Sequence, residues 1–154
     1  MTFDQLDFTT YCIGALSERL KLSQPTVFRM LKDSDILGSY IVPGYEVLHT
    51  YSPEYIADDL VSLMKERGVI QWKNCKPMDG RRIVLQMKYA RIISGLAARL
   101  GLSIEKAMEI FYGSATFQLI EKGIADLHAR SEIYLVDELI LELSAAKNQS
   151  NACR

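Results

Sequence analysis

The 154-residue chain is poor in the residues from which catalytic and metal sites are commonly built. It holds three cysteines, two histidines and one tryptophan. Cys12, Cys75 and Cys153 are odd in number and far apart, which argues against a disulfide framework or thiolate metal site and for a reducing cytoplasm. A zinc site needs three or four ligands, so no metal is expected, and no cofactor signature is present. There is no glycine-rich phosphate loop and no Ser-His-Asp arrangement. No apolar run approaches the roughly 18 residues of a membrane span. Met1–Asp7 has no basic segment leading into an apolar one, so no signal peptide is expected. These absences predict a cytoplasmic protein that is not an enzyme.

What remains is ordinary globular composition, 49% apolar and 24% charged. The length allows one domain or two small ones. Charge is uneven along it. Residues 1–70 carry six Lys/Arg against ten Asp/Glu, net −4; residues 71–154 carry twelve against nine, net +3. A basic stretch of Lys73, Lys76, Arg81, Arg82, Lys88 and Arg91 is broken only by Asp79. It reads as a solvated connector and helix start, or as a contact surface for an acidic partner.

The most informative feature is a repeat. Gly44, Leu48, His49, Ser52, Tyr55, Asp58 and Leu60 recur as Gly123, Leu127, His128, Ser131, Tyr134, Asp137 and Leu139. That is seven identities in a seventeen-residue window, where typical composition gives about one by chance. Upstream, Arg19, Leu20, Leu22 and Ser23 correspond to Arg99, Leu100, Leu102 and Ser103. The offset changes by one residue near Asp33–Leu37, which predicts a loop there, because a one-residue change within a helix turns its apolar face by about 100°. The chain therefore reads as a tandem duplication of a unit roughly 65 residues long.

Each copy reads as four helices. Phe8, Tyr11, Cys12, Ala15, Leu16 and Leu20 form one stripe. Ser23 looks like a cap, followed by Val27, Phe28, Met30 and Leu31 on a second helix. A short third segment covers Leu37–Val42, and Ser52-Pro53-Glu54 starts a fourth that places Ile56, Leu60, Leu63 and Met64 inward. In the second copy the stripes are Leu85, Tyr89, Ile92, Leu96 and Leu100, then Ala107, Met108, Ile110 and Phe111 behind Ser103, then Phe117, Leu119 and Ile120. The last is Leu135, Leu139 and Leu143 behind Ser131. The expected architecture is all-α: residues 1–68, a linker 69–82, residues 83–147 and a disordered tail 148–154. Units this small bury little core alone, so the two are expected to pack as a pseudo-symmetric pair.

The repeated residues read as a structural signature. His49 and His128 are expected to pack beside the fourth helix and bond a backbone group or the capping region; Tyr55 and Tyr134 are expected to anchor that helix with buried rings. Ser52 and Ser131 cap it. The catalytic alternative has Asp58 or Asp137 orienting the imidazole. Partner-binding residues are sought where the copies differ: Tyr51, Trp72, Arg81 and Arg82. One segment, Leu20 to Leu31, resembles a helix-turn-helix recognition element with Gln24, Thr26 and Arg29 exposed, which makes a DNA-binding transcriptional regulator the alternative function. An acidic first half, with only Arg29 and Lys32 on that helix for phosphates, weighs against nucleic acid.

Phe111-Tyr112-x-Ser114, Leu119-Ile120, Asp126-Leu127-His128, Ser131 and Tyr134-Leu135 resemble the signature of a small bacterial domain of unknown function, family thirty-seven ninety-one. The first copy is a more diverged match through Tyr40-Ile-Val-Pro-x-Tyr45, Val47-Leu48-His49-Thr50 and Tyr55-Ile56, with Leu31-Lys32-Asp33-Ser34 in place of the Phe-Tyr-x-Ser element. The resemblance implies a small helical protein encoded beside an ADP-ribosyltransferase-like protein. It therefore implies an antitoxin that neutralises that toxin through protein contact, with no membrane or cofactor involved.

Overall fold

A computed structural model describes the backbone of residues 1–70 and 81–151; the side chains of residues 81–84, 125, 126, 128 and 147–151 lie outside that description. Every regular element among the described residues is a helix, which agrees with the all-α expectation. None of them is long and apolar enough to cross a membrane. The chain divides into two compact units, Met1–Met87 and Lys88–Arg154.

The first unit contains α1 (Phe3–Leu20), α2 (Gln24–Asp33), a π-helix (Leu37–Ile41), α3 (Tyr45–Leu48) and α4 (Pro53–Glu66). Thr2 and Gln5 start α1 with a capping box. Lys21, at φ +57°, ends it, with the Leu22 N–H donating to the Ser17 carbonyl. Ser23 and Ser52 cap α2 and α4, each with a proline in the first turn. Helix α1 packs against both α2 and α4. It is buried well beyond the predicted stripe: Leu6, Thr9, Thr10, Ile13 and Gly14 are buried as well. The added cover is the start of α5 (Arg81–Leu100), where the Thr10 hydroxyl donates to the Gln86 carbonyl at 3.2 Å. Of the inward residues expected on α4, Ile56, Leu60 and Met64 are buried, while Leu63 is half-buried.

The offset change near Asp33–Leu37 does not fall in a loop alone. After a short turn, the chain enters the π-helix, where the Val42 N–H reaches the Leu37 carbonyl at 3.1 Å. A π-turn takes one more residue than an α-turn and so absorbs an inserted residue without exposing the apolar face. Helix α3 was not expected from sequence; four residues are too few to show a period.

The second unit holds most of α5, then α6 (Ile104–Gly113), α7 (Ala115–Glu121), a 3-10 segment (Ile124–Ala129) and α8 (Glu132–Asn151). Helix α5 begins two residues ahead of the expected start at 83, and α8 is helical into the stretch expected to be disordered. Its core is aromatic. Tyr89, Phe111, Tyr112 and Phe117 are all buried, with ring centroids 5.1–5.5 Å apart in the contacts that Phe111 and Phe117 make. Ser114 turns the chain between α6 and α7: its hydroxyl donates to the Phe111 carbonyl and accepts from the Phe117 N–H. The Phe-Tyr-x-Ser element is thus two core rings and a turn. Leu100 and Leu119, expected in the stripes, are exposed, because each lies at or near the end of its helix.

Glu142 of α8 is tied to the start of α7, accepting from the Ala115 and Thr116 N–H groups and the Thr116 hydroxyl at 2.7–3.1 Å. Burial alone would raise its pKa; these three donors outweigh it and hold the pKa below its ordinary 4.5. A depressed folded pKa stabilises the fold above pH 4.5, and that contribution is lost as pH falls through the folded value. Glu142→Gln should therefore flatten the acid limb of the stability curve measured by circular dichroism between pH 5 and 3 (about one unit either side of the carboxylate range).

Candidate functional site

The two acids proposed to orient the histidines are engaged elsewhere. Asp58 of α4 pairs with Arg19 of α1, and Asp137 of α8 pairs with Arg99 of α5. Each pair ties the first and last long helices of its own unit. Both aspartates are more than half or about half exposed, so each pair contributes little energy and chiefly fixes register.

His49 follows α3 and is exposed. Its ring stacks on Tyr45, centroids 4.6 Å apart, and Nδ1 lies 2.6 Å from the Tyr45 carbonyl. The backbone contact agrees with expectation; the packing partner is α3 itself and not the fourth helix, because α3 turns the ring toward its own first residue. An exposed ring on an exposed turn contributes little to stability, so His49→Ala should cost under about 1 kcal/mol in a urea titration. The side chain of His128 lies outside the described residues.

The tyrosines of the signature are also placed differently from expectation. Tyr55 is 54% and Tyr134 42% exposed. Each sits in the first turn of its helix, one position before the buried ridge that starts at Ile56 or Leu135. About 100° of helical rotation turns it outward. Tyr134 lies beneath the Arg130 guanidinium, 5.8 Å from the ring centroid; a hydrogen bond to Glu138 is the main cause of its raised pKa. Tyr55 packs on Tyr51, centroids 4.7 Å apart. Tyr51, singled out from sequence, is 45% exposed, and Val47 of α3 is 57% exposed. Tyr40 donates to Asp59 at 2.6 Å, and that bond, with burial, lifts its phenol to about 12. The first unit thus carries an open aromatic pair, Tyr51 and Tyr55, and a separately exposed Val47.

The same unit holds a concave site that sequence reasoning missed. Asp4, Asp7, Phe8, Tyr11, Tyr45, His49 and Met87 line a cavity of about 230 Å³. Phe8 meets Tyr45 edge-on at 5.7 Å and lies nearly parallel to Tyr11 at 6.3 Å. Burial raises the Tyr45 pKa, and the carboxylates of Asp4, Glu46 and Asp7 add to the rise. Tyr11 is lifted to about 12 by burial first, then by Cys12 and Glu54. The walls are aromatic and the surroundings acidic. The signal for it is the pairing of Asp4 and Asp7 on α1 with an aromatic α3, legible only once α3 is known to meet α1.

Trp72 lies outside the described residues; Arg81 and Arg82 open α5, with side chains outside the description. Among the described residues no group of three or more His, Cys, Asp or Glu could hold a metal. In the segment that resembles a recognition helix, Arg29 is exposed and Thr26 half-buried, but Gln24 is 4% exposed, packed into the core at the end that should meet bases.

No curated protein and no solved structure matches the chain. Residues 7–67, which run from the first turns of α1 to the end of α4, match the family described as Protein of unknown function (DUF3791).

Proposed function

We propose that this protein is a non-enzymatic interaction module, an antitoxin that neutralises an ADP-ribosyltransferase-like toxin by covering its cleft. The observation that carries the reading is the open aromatic surface of the first unit. Val47, Tyr51 and Tyr55 leave between 45% and 57% of their surface in solvent. Tyrosines with an apolar face and a wet hydroxyl are over-represented among residues that dominate binding energy. The occupation of Asp58 and Asp137 by arginines supports a binding role over histidine catalysis. The identity of the toxin rests on the family resemblance.

The chain is read further as two copies of one helical unit. This is supported by the matching ion pairs Arg19–Asp58 and Arg99–Asp137, and by left-handed residues at Lys21 and Gly101 after α1 and α5. Serine caps at 23 and 103, and at 52 and 131, support it too. Only the first unit carries the Tyr51–Tyr55 pair, since Arg130 takes the place of Tyr51 beside Tyr134.

The test is co-expression with the ADP-ribosyltransferase-like protein encoded beside its gene. A stable complex that survives size exclusion, and restored growth of cells carrying the toxin, are expected. Separate elution together with continued toxicity would refute the reading.

A further inference from the structure

The cavity beside α3 has the chemistry of a receptor for a flat organic cation. Its walls are the faces and edges of Phe8, Tyr11, Tyr45 and His49, and two carboxylates, Asp4 and Asp7, stand on its lining. Glu46 and Glu54 act on the same tyrosines from outside, so four acids bias one small site. A cation over aromatic faces is attracted by the ring quadrupoles, and the attraction grows when water is excluded. The Tyr11 hydroxyl oxygen is closed to solvent, so it is the Tyr11 ring and not the hydroxyl that an occupant would meet.

We propose that this cavity receives an arginine side chain of the protein partner. A guanidinium suits it better than an ammonium: it is planar, stacks on aromatic rings and donates two parallel N–H bonds to a carboxylate. The cavity volume of about 230 Å³ accommodates one such side chain and little more. The exposed Tyr51–Tyr55 pair follows His49, a lining residue of the cavity, by a few residues in the chain. The partner would then lay an apolar segment across the tyrosines and anchor it with one arginine. The identification of the occupant as part of a partner rests on the binding-module reading; the cation preference of the cavity does not.

The probe is N-acetyl-arginine amide, titrated into the full-length protein and followed by two-dimensional NMR, with the neutral citrulline analogue as control. Saturable shifts at Asp4, Asp7, Tyr45 and His49 are expected, with dissociation in the millimolar range (about −4 kcal/mol). The citrulline analogue should bind at least about fivefold more weakly (roughly 1 kcal/mol). Two variants, Asp4→Asn with Asp7→Asn and, separately, Tyr45→Leu, should each weaken arginine binding by a similar factor while the remaining spectrum keeps its dispersion. Equal affinity for arginine and citrulline, or no saturable shift in the wild-type protein, would overturn the proposal. Arginine binding in a protein that fails to neutralise the toxin would refute the antitoxin reading and leave the cation site standing. Neutralisation without arginine binding would do the reverse.

Discussion

Phe111→Ala is expected to lower the unfolding free energy by about 3–5 kcal/mol, the range for deleting a buried aromatic ring. Phe111 is fully buried and touches three other rings: Tyr89 at 5.3 Å, Tyr112 at 5.2 Å and Phe117 at 5.1 Å. Those neighbours come from α5, α6 and α7, so removal of one ring opens a gap shared by three helices. Edge-to-face pairs add to the area term, by about 0.5–1.5 kcal/mol each. Collapse into the gap is hindered because Ser114 fixes the α6–α7 turn to the Phe111 carbonyl itself. Phe111→Leu should recover most of the loss. Guanidinium unfolding followed by circular dichroism measures both; a loss under about 1 kcal/mol for the alanine variant would show that the second unit does not depend on this cluster.

Gly44→Ala is expected to cost about 2–3 kcal/mol, and the cause is space, not backbone conformation. Gly44 has φ −80°, which any residue adopts. An added Cβ would lie 2.6 Å from the Tyr40 carbonyl oxygen and 2.9 Å from Leu48 Cδ1. That carbonyl accepts the Gly44 N–H, so it cannot retreat without losing a bond at the start of α3. The glycine at the matching place in the sequence pattern behaves differently. Gly123 has φ +66° and nothing within 4 Å of a built Cβ, so Gly123→Ala should cost only the left-handed penalty of about 1 kcal/mol. The same letter at the same place in the pattern serves two local needs. Because α3 carries Tyr45, Val47 and His49, Gly44→Ala should also disturb the cavity and the aromatic surface, which NMR shifts at Tyr45 would report. Equal stability losses at the two glycines would contradict this account.

The helical class and most helix starts were legible in the sequence because they are local. Ser23, Ser52, Ser103 and Ser131 each sit at a helix start, and the hydroxyl of each accepts an N–H three residues on. Buried ridges such as Ile56, Leu60 and Met64 follow the helical period. Three things were not legible, each for a tertiary reason. The burial of Thr9, Thr10 and Gly14 depends on Gln86 and its neighbours covering a second side of α1. Tyr55 and Tyr134, which recur in the pattern and are expected from sequence to anchor their helices with buried rings, do not share the ridges of those helices. Exposure follows from position on the helix, and recurrence says nothing about it. The acidic aromatic cavity required α3, whose four residues gave no periodic signal, to come to rest against the start of α1.

The sequence divides the candidate binding residues in a similar way. Tyr51 stands out in the sequence because Arg130 occupies the corresponding place in the recurring pattern, and it is 45% exposed. Asp4 and Asp7 carry no distinguishing signal in the sequence, since acids near a helix start are common. What distinguishes them is the ring of Tyr45 across the cavity, a neighbour more than thirty residues away.

The most direct test of the account is a titration of NAD-dependent ADP-ribosyl transfer, catalysed by the toxin proposed as its partner, with the purified full-length protein. The wild-type chain should abolish transfer at about one equivalent, as expected for a binder that occupies the cleft with affinity well below the assay concentration. With the toxin diluted below the dissociation constant, the double variant Tyr51→Ala, Tyr55→Ala should raise the half-inhibiting concentration at least about tenfold, equal to roughly 1.4 kcal/mol, with its melting curve unchanged because both rings are exposed. Transfer that continues undiminished at a large excess of the folded wild-type protein would contradict the account.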